Sequence, residues 1–224
     1  MSKKSEFNPY VNNAGTVVAV ATGDRCVVGA DTRISQGYSI ISRDHYKVTE
    51  LTPTVVLATS GMVTDAQTLH NLILSKVKLF KFSHGEYPGI RSIAKLLSNT
   101  LYYRRFFPYY TFNLLAGLDE DGKGVVFGYD AIGSFDQMKY GAQGSGIQLL
   151  ISVLDNQIKG TNQTEPRNVK RVGDSVEYTG DPLELVKDVM TSCAERDIYT
   201  GDRVEIWDIG REGIRRDGIP LRFD

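Results

Sequence analysis

Two strands that are apolar at nearly every position constrain this chain more than any other feature. Residues 15–33 read GTVVAVATGDRCVVGADTR. Thr16 to Ala21 is β-branched and small apolar, Gly23-Asp24 is a turn signal, and Cys26 to Ala30 is a second apolar run. A strand with one wet face alternates apolar and polar residues. These strands do not alternate, so the hairpin must be covered on both faces. Residues 54–60, TVVLATS, make another such strand, ended by Gly61.

Helices that could supply the cover follow. Leu69, Leu72, Ile73, Val77 and Phe80 fall on one helical face, with Thr64 or Asp65 as N-cap. After a loop at Pro88-Gly89, Ile93, Leu96, Leu97, Thr100 and Leu101 repeat the spacing, so the two helices form an antiparallel hairpin. Pro108 ends this region. Residues 109–119 and 124–130 read as paired strands around the DEDGKG turn, and 135–141 as a third strand. A helix is expected over 147–157, a polar surface loop over 159–181, and a helix from Pro182, whose missing N–H costs nothing in a first turn. Residues 203–210 and 213–218 close the chain as a hairpin, and residues 1–13 read as an extended arm.

Strands and helices come in groups rather than as alternating βαβ units, which excludes a parallel doubly wound sheet. The expected class is α+β, a four-layer αββα sandwich with two antiparallel sheets between helix layers. The division is an arm over 1–14 and a single domain over 15–224. With Lys plus Arg at 26 and Asp plus Glu at 27, the net charge of −1 gives no strong pull toward nucleic acid or an anionic membrane. No apolar run approaches the ~18 residues of a membrane span. The opening MSKKSEFNPY lacks the apolar stretch of a signal peptide. Cys26 and Cys193 are too few for a disulfide framework or a four-ligand zinc site, so an intracellular compartment is expected. His45, His70 and His84 share no metal-ligand spacing and read as surface or boundary residues, so no metal and no cofactor is expected.

Three kinds of chemistry remain to be weighed. GAQGSG at 141–146 precedes a helix and could cradle a phosphate on its N–H groups, but it lacks the Lys-Ser/Thr ending of a P-loop. Ser145 has no Gly-x-Ser-x-Gly elbow, which leaves a Ser-His-Asp hydrolase unsupported. Asp31 ends a buried strand in GADTR, Lys47 precedes another in SRDHYKV, and Asp197 lies in ERDIYTGD after the last long helix.

Taken in order and at these intervals, the segments resemble the proteasome beta subunit family over residues 7–224. The opening hairpin, Lys47, the GSG turn at 144–146 and ERDIYTGD are each similar to a family segment. RRFFPYY at 104–110, GLDEDGKG at 117–124 and LDNQ at 154–157 resemble one non-catalytic branch, the sixth position of the eukaryotic beta ring. The resemblance implies the N-terminal nucleophile hydrolase fold and alpha and beta subunit partners in a four-ring, twenty-eight-subunit core particle. It also implies protein substrates inside the chamber and a location in cytoplasm and nucleus.

Active family members use an N-terminal threonine whose own amine serves as base, beside a lysine held by an aspartate. Asp31, Lys47, Ser145 and Asp197 match the supporting positions, with Thr200 where serine is common. In active members the threonine precedes the aspartate by the interval that separates aspartate from lysine. That interval, sixteen residues here, leads back from Asp31 to Gly15, which has no side chain. Thr16 is one step away, and a one-residue slip turns a strand side chain to the opposite face. No catalytic residue is therefore expected, and the retained charges read as structure, Asp31 with Lys47 as a buried ion pair. Apolar replacement of both should be milder than loss of either. Two alternatives stay open. One is an active threonine endopeptidase using Thr16 after removal of 1–15. The other is a stand-alone nucleotide-binding domain using the 141–146 turn.

Overall fold

The computed structural model describes residues 7–160, 168–172 and 175–224. The leading hairpin is β1 (Thr16–Thr22) and β2 (Arg25–Asp31). A short hairpin, β3 (Ile34–Gln36) with β4 (Ser39–Ser42), precedes β5 (Val48–Thr52) and β6 (Val55–Gly61). The helical pair is α1 (Val63–His84) and α2 (Ile90–Tyr103). Next come β7 (Thr111–Leu118), β8 (Gly124–Tyr129), β9 (Phe135–Met138) and β10 (Tyr140–Gly144). Helix α3 (Ile147–Leu154) runs into a π-helical turn, Asp155–Lys159. The chain finishes with β11 (Val169–Val172), β12 (Ser175–Tyr178), α4 (Pro182–Ala194), β13 (Arg203–Gly210) and β14 (Gly213–Pro220).

Two five-stranded antiparallel sheets carry the architecture, one in the order β10-β1-β2-β13-β14 and the other in the order β5-β6-β7-β8-β9. Alternation along β1 and β2 explains why both strands are apolar throughout. Val17, Ala19, Val28 and Ala30 face the other sheet, where they meet Ala58, Leu114, Ala116 and Val126. Val18, Val20 and Val27 face outward against Leu150 and Leu154 of α3 and Val186, Val189 and Met190 of α4. The second sheet turns Leu57, Leu115 and Phe127 onto Leu69, Ile73 and Val77 of α1 and Ile93 and Leu97 of α2. Each of the Val, Leu, Ile, Phe and Met side chains contributes about 1.5–3 kcal/mol on burial. This is the αββα sandwich expected from the sequence.

Several local expectations need correction. Residues 135–141 are not one strand. The segment pairs with β8 through Met138 and with β1 from Tyr140 onward, so it changes sheets at Lys139. The polar stretch 159–181 holds the β11–β12 hairpin rather than only loop, because Val169–Val172 and Ser175–Tyr178 pair in register; its residues 161–167 lie outside the described set. Neither Thr64 nor Asp65 caps α1. The N-cap residue is Met62, and the Asn13 side chain accepts from Val63 N at 3.0 Å, while Asp65 accepts from Tyr110 N at 2.8 Å. Phe80 is exposed, since α1 has by then run past the sheet it covers. Helix α4 does start as expected, with Asp181 accepting from Leu183 N at 3.0 Å and Pro182 in the first turn. Among the described residues, no helix is long and apolar enough to cross a membrane.

Candidate functional site

The C-terminal end of β2 and the approach to β5 bring Asp31 and Lys47 together. Lys47 Nζ donates to Asp31 Oδ1 at 2.8 Å, to the Asp31 carbonyl at 2.8 Å and to the Arg33 carbonyl at 2.6 Å. All three ammonium hydrogens are thereby placed. Asp31 is fully buried, and its carboxylate also accepts from Thr16 N at 2.8 Å and Arg33 N at 3.3 Å. Burial pushes the Asp31 carboxyl up and the Lys47 ammonium down, while their mutual attraction opposes both shifts.

Gly15 stands against this pair. Its φ is +86°, and a Cβ built there would lie 2.4 Å from Lys47 Cε, 2.7 Å from Nζ and 3.1 Å from Asp31 Oδ1. The position that points at the ammonium is therefore residue 15. Its carbonyl accepts from Ser145 N at 3.1 Å, which fixes the chain just before β1.

Thr16 points the other way. Its hydroxyl accepts from Gly146 N at 3.0 Å and lies 2.7 Å from the Thr200 hydroxyl. Thr200 Oγ1 donates to Asp197 Oδ2 at 2.6 Å, so the proton between the two threonines belongs to Thr16. Ser145 Oγ donates to the same carboxylate oxygen at 2.6 Å. Asp197 thus collects two hydroxyls and also accepts from Tyr199 N at 3.1 Å. The Thr16 side chain is fully buried in this network.

The predicted residues accordingly form two clusters, one on each side of the start of β1. Asp31 and Lys47 lie on the Gly15 side, and Ser145, Asp197 and Thr200 on the Thr16 side. The 141–146 turn is not an open phosphate cradle. Gly141–Gly144 are ladder residues paired with β1, and the next two N–H groups, on Ser145 and Gly146, are already taken by Gly15 O and Thr16 Oγ1.

Sequence reasoning missed a second buried ion pair beside the first. Arg33 grips Asp202 with Nε to Oδ2 at 2.8 Å and Nη2 to Oδ1 at 3.1 Å, and Arg43 adds a further bond. Burial alone would raise the Asp202 carboxyl, but the hydrogen bonds from Arg33 and Arg43 outweigh it and hold the group low. The signal was present in the neighbouring motifs, since Arg33 ends GADTR and Asp202 ends ERDIYTGD. His70 was also misplaced as a boundary residue. It is buried, with Nδ1 2.7 Å from Thr49 Oγ1 and Nε2 2.6 Å from Thr59 Oγ1. Thr59 gives its proton to Asn113 Oδ1 at 2.8 Å, so the neutral ring carries its hydrogen on Nε2.

A family model described as proteasome subunit matches residues 11–209. The chain belongs to the proteasome subunit family. Full-length relatives agree. "Proteasome subunit beta type-1" of Oryza sativa subsp. japonica is 46% identical, covering 100% of both chains. The protein of the same name from Dictyostelium discoideum is 47% identical over 97% of this chain and 91% of its own. "Proteasome subunit beta type-6" of Saccharomyces cerevisiae is 36% identical over 98% and 92%. The sandwich described above is that of a proteasome subunit, with the N-terminal nucleophile hydrolase fold.

Proposed function

We propose that this chain is a non-catalytic beta subunit of the proteasome core particle. In this reading it helps build the ring that encloses the chamber for ubiquitin-dependent protein degradation. Its partners are the other alpha and beta subunits of a four-ring, twenty-eight-subunit assembly, in cytoplasm and nucleus. In this reading the chain divides into an extended arm over 1–14 and a single proteasome beta-type domain over 15–224. One observation carries the non-catalytic reading. The residue aimed at the Lys47 ammonium is Gly15, which offers no hydroxyl. Thr16 has a hydroxyl, but it is buried and bound to Gly146 and Thr200 on the far side of β1. Asp31, Lys47, Ser145, Asp197 and Thr200 then serve as packing and hydrogen-bond structure rather than as catalytic groups.

The test is made on assembled particles. Thr16→Ala in this chain is expected to leave rates per particle on acidic, basic and hydrophobic fluorogenic peptides unchanged. Intact mass should retain Phe7 and Tyr10. Loss of one whole specificity class, or a mature chain that begins at Thr16, would instead establish the active endopeptidase reading.

A further inference from the structure

The RRFFPYY stretch at 104–110 has no role in the function proposed so far. Helix α2 ends at Tyr103, and residues 102–107 are all exposed. Phe106 is 97% exposed and Tyr103 89%, with Phe107 and Tyr102 each more than half exposed. Single exposed apolar residues are ordinary, but four aromatics within six residues make one patch. With about 150–250 Å² in a full aromatic side chain, these rings offer on the order of 500 Å². That lies toward the upper end of the about 300–600 Å² that the largest patch of a monomer exposes. It is also a large share of the about 800 Å² that each partner gives to a stable interface.

The patch is held firmly. Arg104 N donates to Leu101 O, Arg105 N to Tyr102 O and Phe107 N to Arg104 O, each at 3.0 Å, which winds the chain tightly out of α2. The arm supports it from behind, where Tyr10 donates to Pro108 O at 2.8 Å and its ring lies 5.6 Å from those of Phe107 and Tyr110. Both guanidiniums lie on rings. Arg104 sits 5.5 Å from the Tyr109 centroid, and Arg105 sits 5.5 Å from that of Tyr102 and donates to its hydroxyl at 2.9 Å. Among the described residues neither makes an ion pair with a carboxylate. No Asp or Glu occurs between Glu86 and Asp119, and Asp65, which reaches this turn, accepts from Tyr110 N.

Composition and charge decide what covers the patch. Aromatic residues and Arg are the types enriched in protein interfaces, and Arg bonds most strongly to a carboxylate. Two guanidiniums on a chain of net charge −1 do not make the long basic groove that a nucleic acid strand needs. Rings fixed in place before binding suit a fixed groove better than the varied sequences of substrates. We propose that Tyr103, Phe106 and Phe107 seat in an apolar groove of a neighbouring proteasome subunit, and that Arg104 and Arg105 meet carboxylates on its rim. This docking rests on assembly with other proteasome subunits and is independent of the chemistry at Gly15 and Thr16. Tyr10 then gives the arm a purpose, since it braces the turn that presents the rings.

Hydroxyl-radical labelling compares the free full chain with purified particles that have been cleared of substrate and treated with nuclease. Labelling of Tyr103, Phe106 and Phe107 should fall at least tenfold in the particles. Arg104→Glu with Arg105→Glu should leave the urea midpoint of the full chain unchanged, because both side chains are exposed. In competition with the parent chain, it should enter particles at least tenfold less well. Arg104→Lys with Arg105→Lys, which keeps both charges, should lose far less. If the charge reversal lowers the midpoint, the labelling decides alone. Equal labelling in the two states overturns the proposal, and so does a charge-reversed chain that folds and assembles like the parent. Protection that appears only when substrate or nucleic acid is added back assigns the patch to that ligand and overturns it as well.

Discussion

Lys47→Met removes the charge at the centre of the site while nearly preserving side-chain length, so the cavity left behind is small. The lysine spends its three hydrogens on Asp31 Oδ1 and on the carbonyls of Asp31 and Arg33. Its loss leaves a fully buried carboxylate with only backbone N–H donors, and takes away the Lys47 donor to Arg33 O. Breaking one partner of a buried pair costs about 3–5 kcal/mol, a large share of the ~5–15 kcal/mol by which a domain is stable. Urea unfolding of the full chain should lose that amount, and less particle should assemble. The sign with pH is fixed. Without its cation, the Asp31 carboxyl is raised in the folded state above its unfolded value, so the fold favours the protonated form. The deficit relative to the parent is therefore largest at neutral pH and shrinks as pH falls toward the ordinary carboxylate range. Asp31→Asn added to Lys47→Met should restore about 1 kcal/mol or more by removing the stranded charge. An apolar residue at 31 should not be mild, contrary to the expectation from sequence. Thr16 N, which donates to Asp31 at 2.8 Å, would then be orphaned in the core at about 1–3 kcal/mol. Parent-like unfolding and assembly of Lys47→Met, or a deficit that does not change with pH, would refute this reasoning.

Three further outcomes are expected. Burial lowers the His70 imidazole from 6.5 to about 4, so its stability contribution is complete above pH 6.5 and lost as pH falls toward 4. Urea midpoints should show an acid loss of about 3 kcal/mol that His70→Gln lacks. Asn13→Ala should cost about 1 kcal/mol by uncapping α1, read as a lower urea midpoint. Gly15→Thr should destabilise the full chain and give assembled particles no new peptidase activity, because its Cβ would displace the Lys47 side chain.

The layered fold was legible because β1 and β2 are apolar on both faces, and only a sheet between two covers satisfies that pattern. The candidate residues Asp31, Lys47, Ser145, Asp197 and Thr200 were legible only through the family resemblance, since each alone reads as an ordinary surface charge, cap or turn; their division into two clusters was not legible. The opposite assignment of Gly15 and Thr16 was read from strand alternation, but Gly15 lies just before β1 at a φ of +86°, so it is that turn of the backbone which aims position 15 at Lys47. Other features left no local trace. Asn13 caps a helix fifty residues away, and no spacing rule links the two. The sheet change at Lys139 is invisible because Phe135–Met138 and Tyr140–Gly144 both have ordinary strand character. His70 looked like a boundary residue because its partners, Thr49 and Thr59, come from β5 and β6 rather than from its own helix. The arm read only as extended chain in the sequence. Yet Tyr10 already bonds Pro108 O at 2.8 Å and packs beside Phe107 and Tyr110, while Phe7 remains exposed.

The backbone at Gly15 bears on how freely mutation could move this site in either direction. A hydroxyl at residue 15 requires a side chain, and any L side chain there meets both a φ of +86° and a lysine Cε at 2.4 Å. Lys47 cannot simply step aside, because its three hydrogens are committed to Asp31 and Arg33. Nor can the start of β1 rotate to present Thr16 without breaking Thr16 N from Asp31 and its hydroxyl from Gly146. A single codon change therefore does not lead from this arrangement to a threonine poised beside the ammonium. Several coordinated changes would be needed, and the early ones lower stability with no gain in chemistry. The glycine thus acts as a one-way latch: each interaction packed around it adds a change that a route to a poised threonine would need.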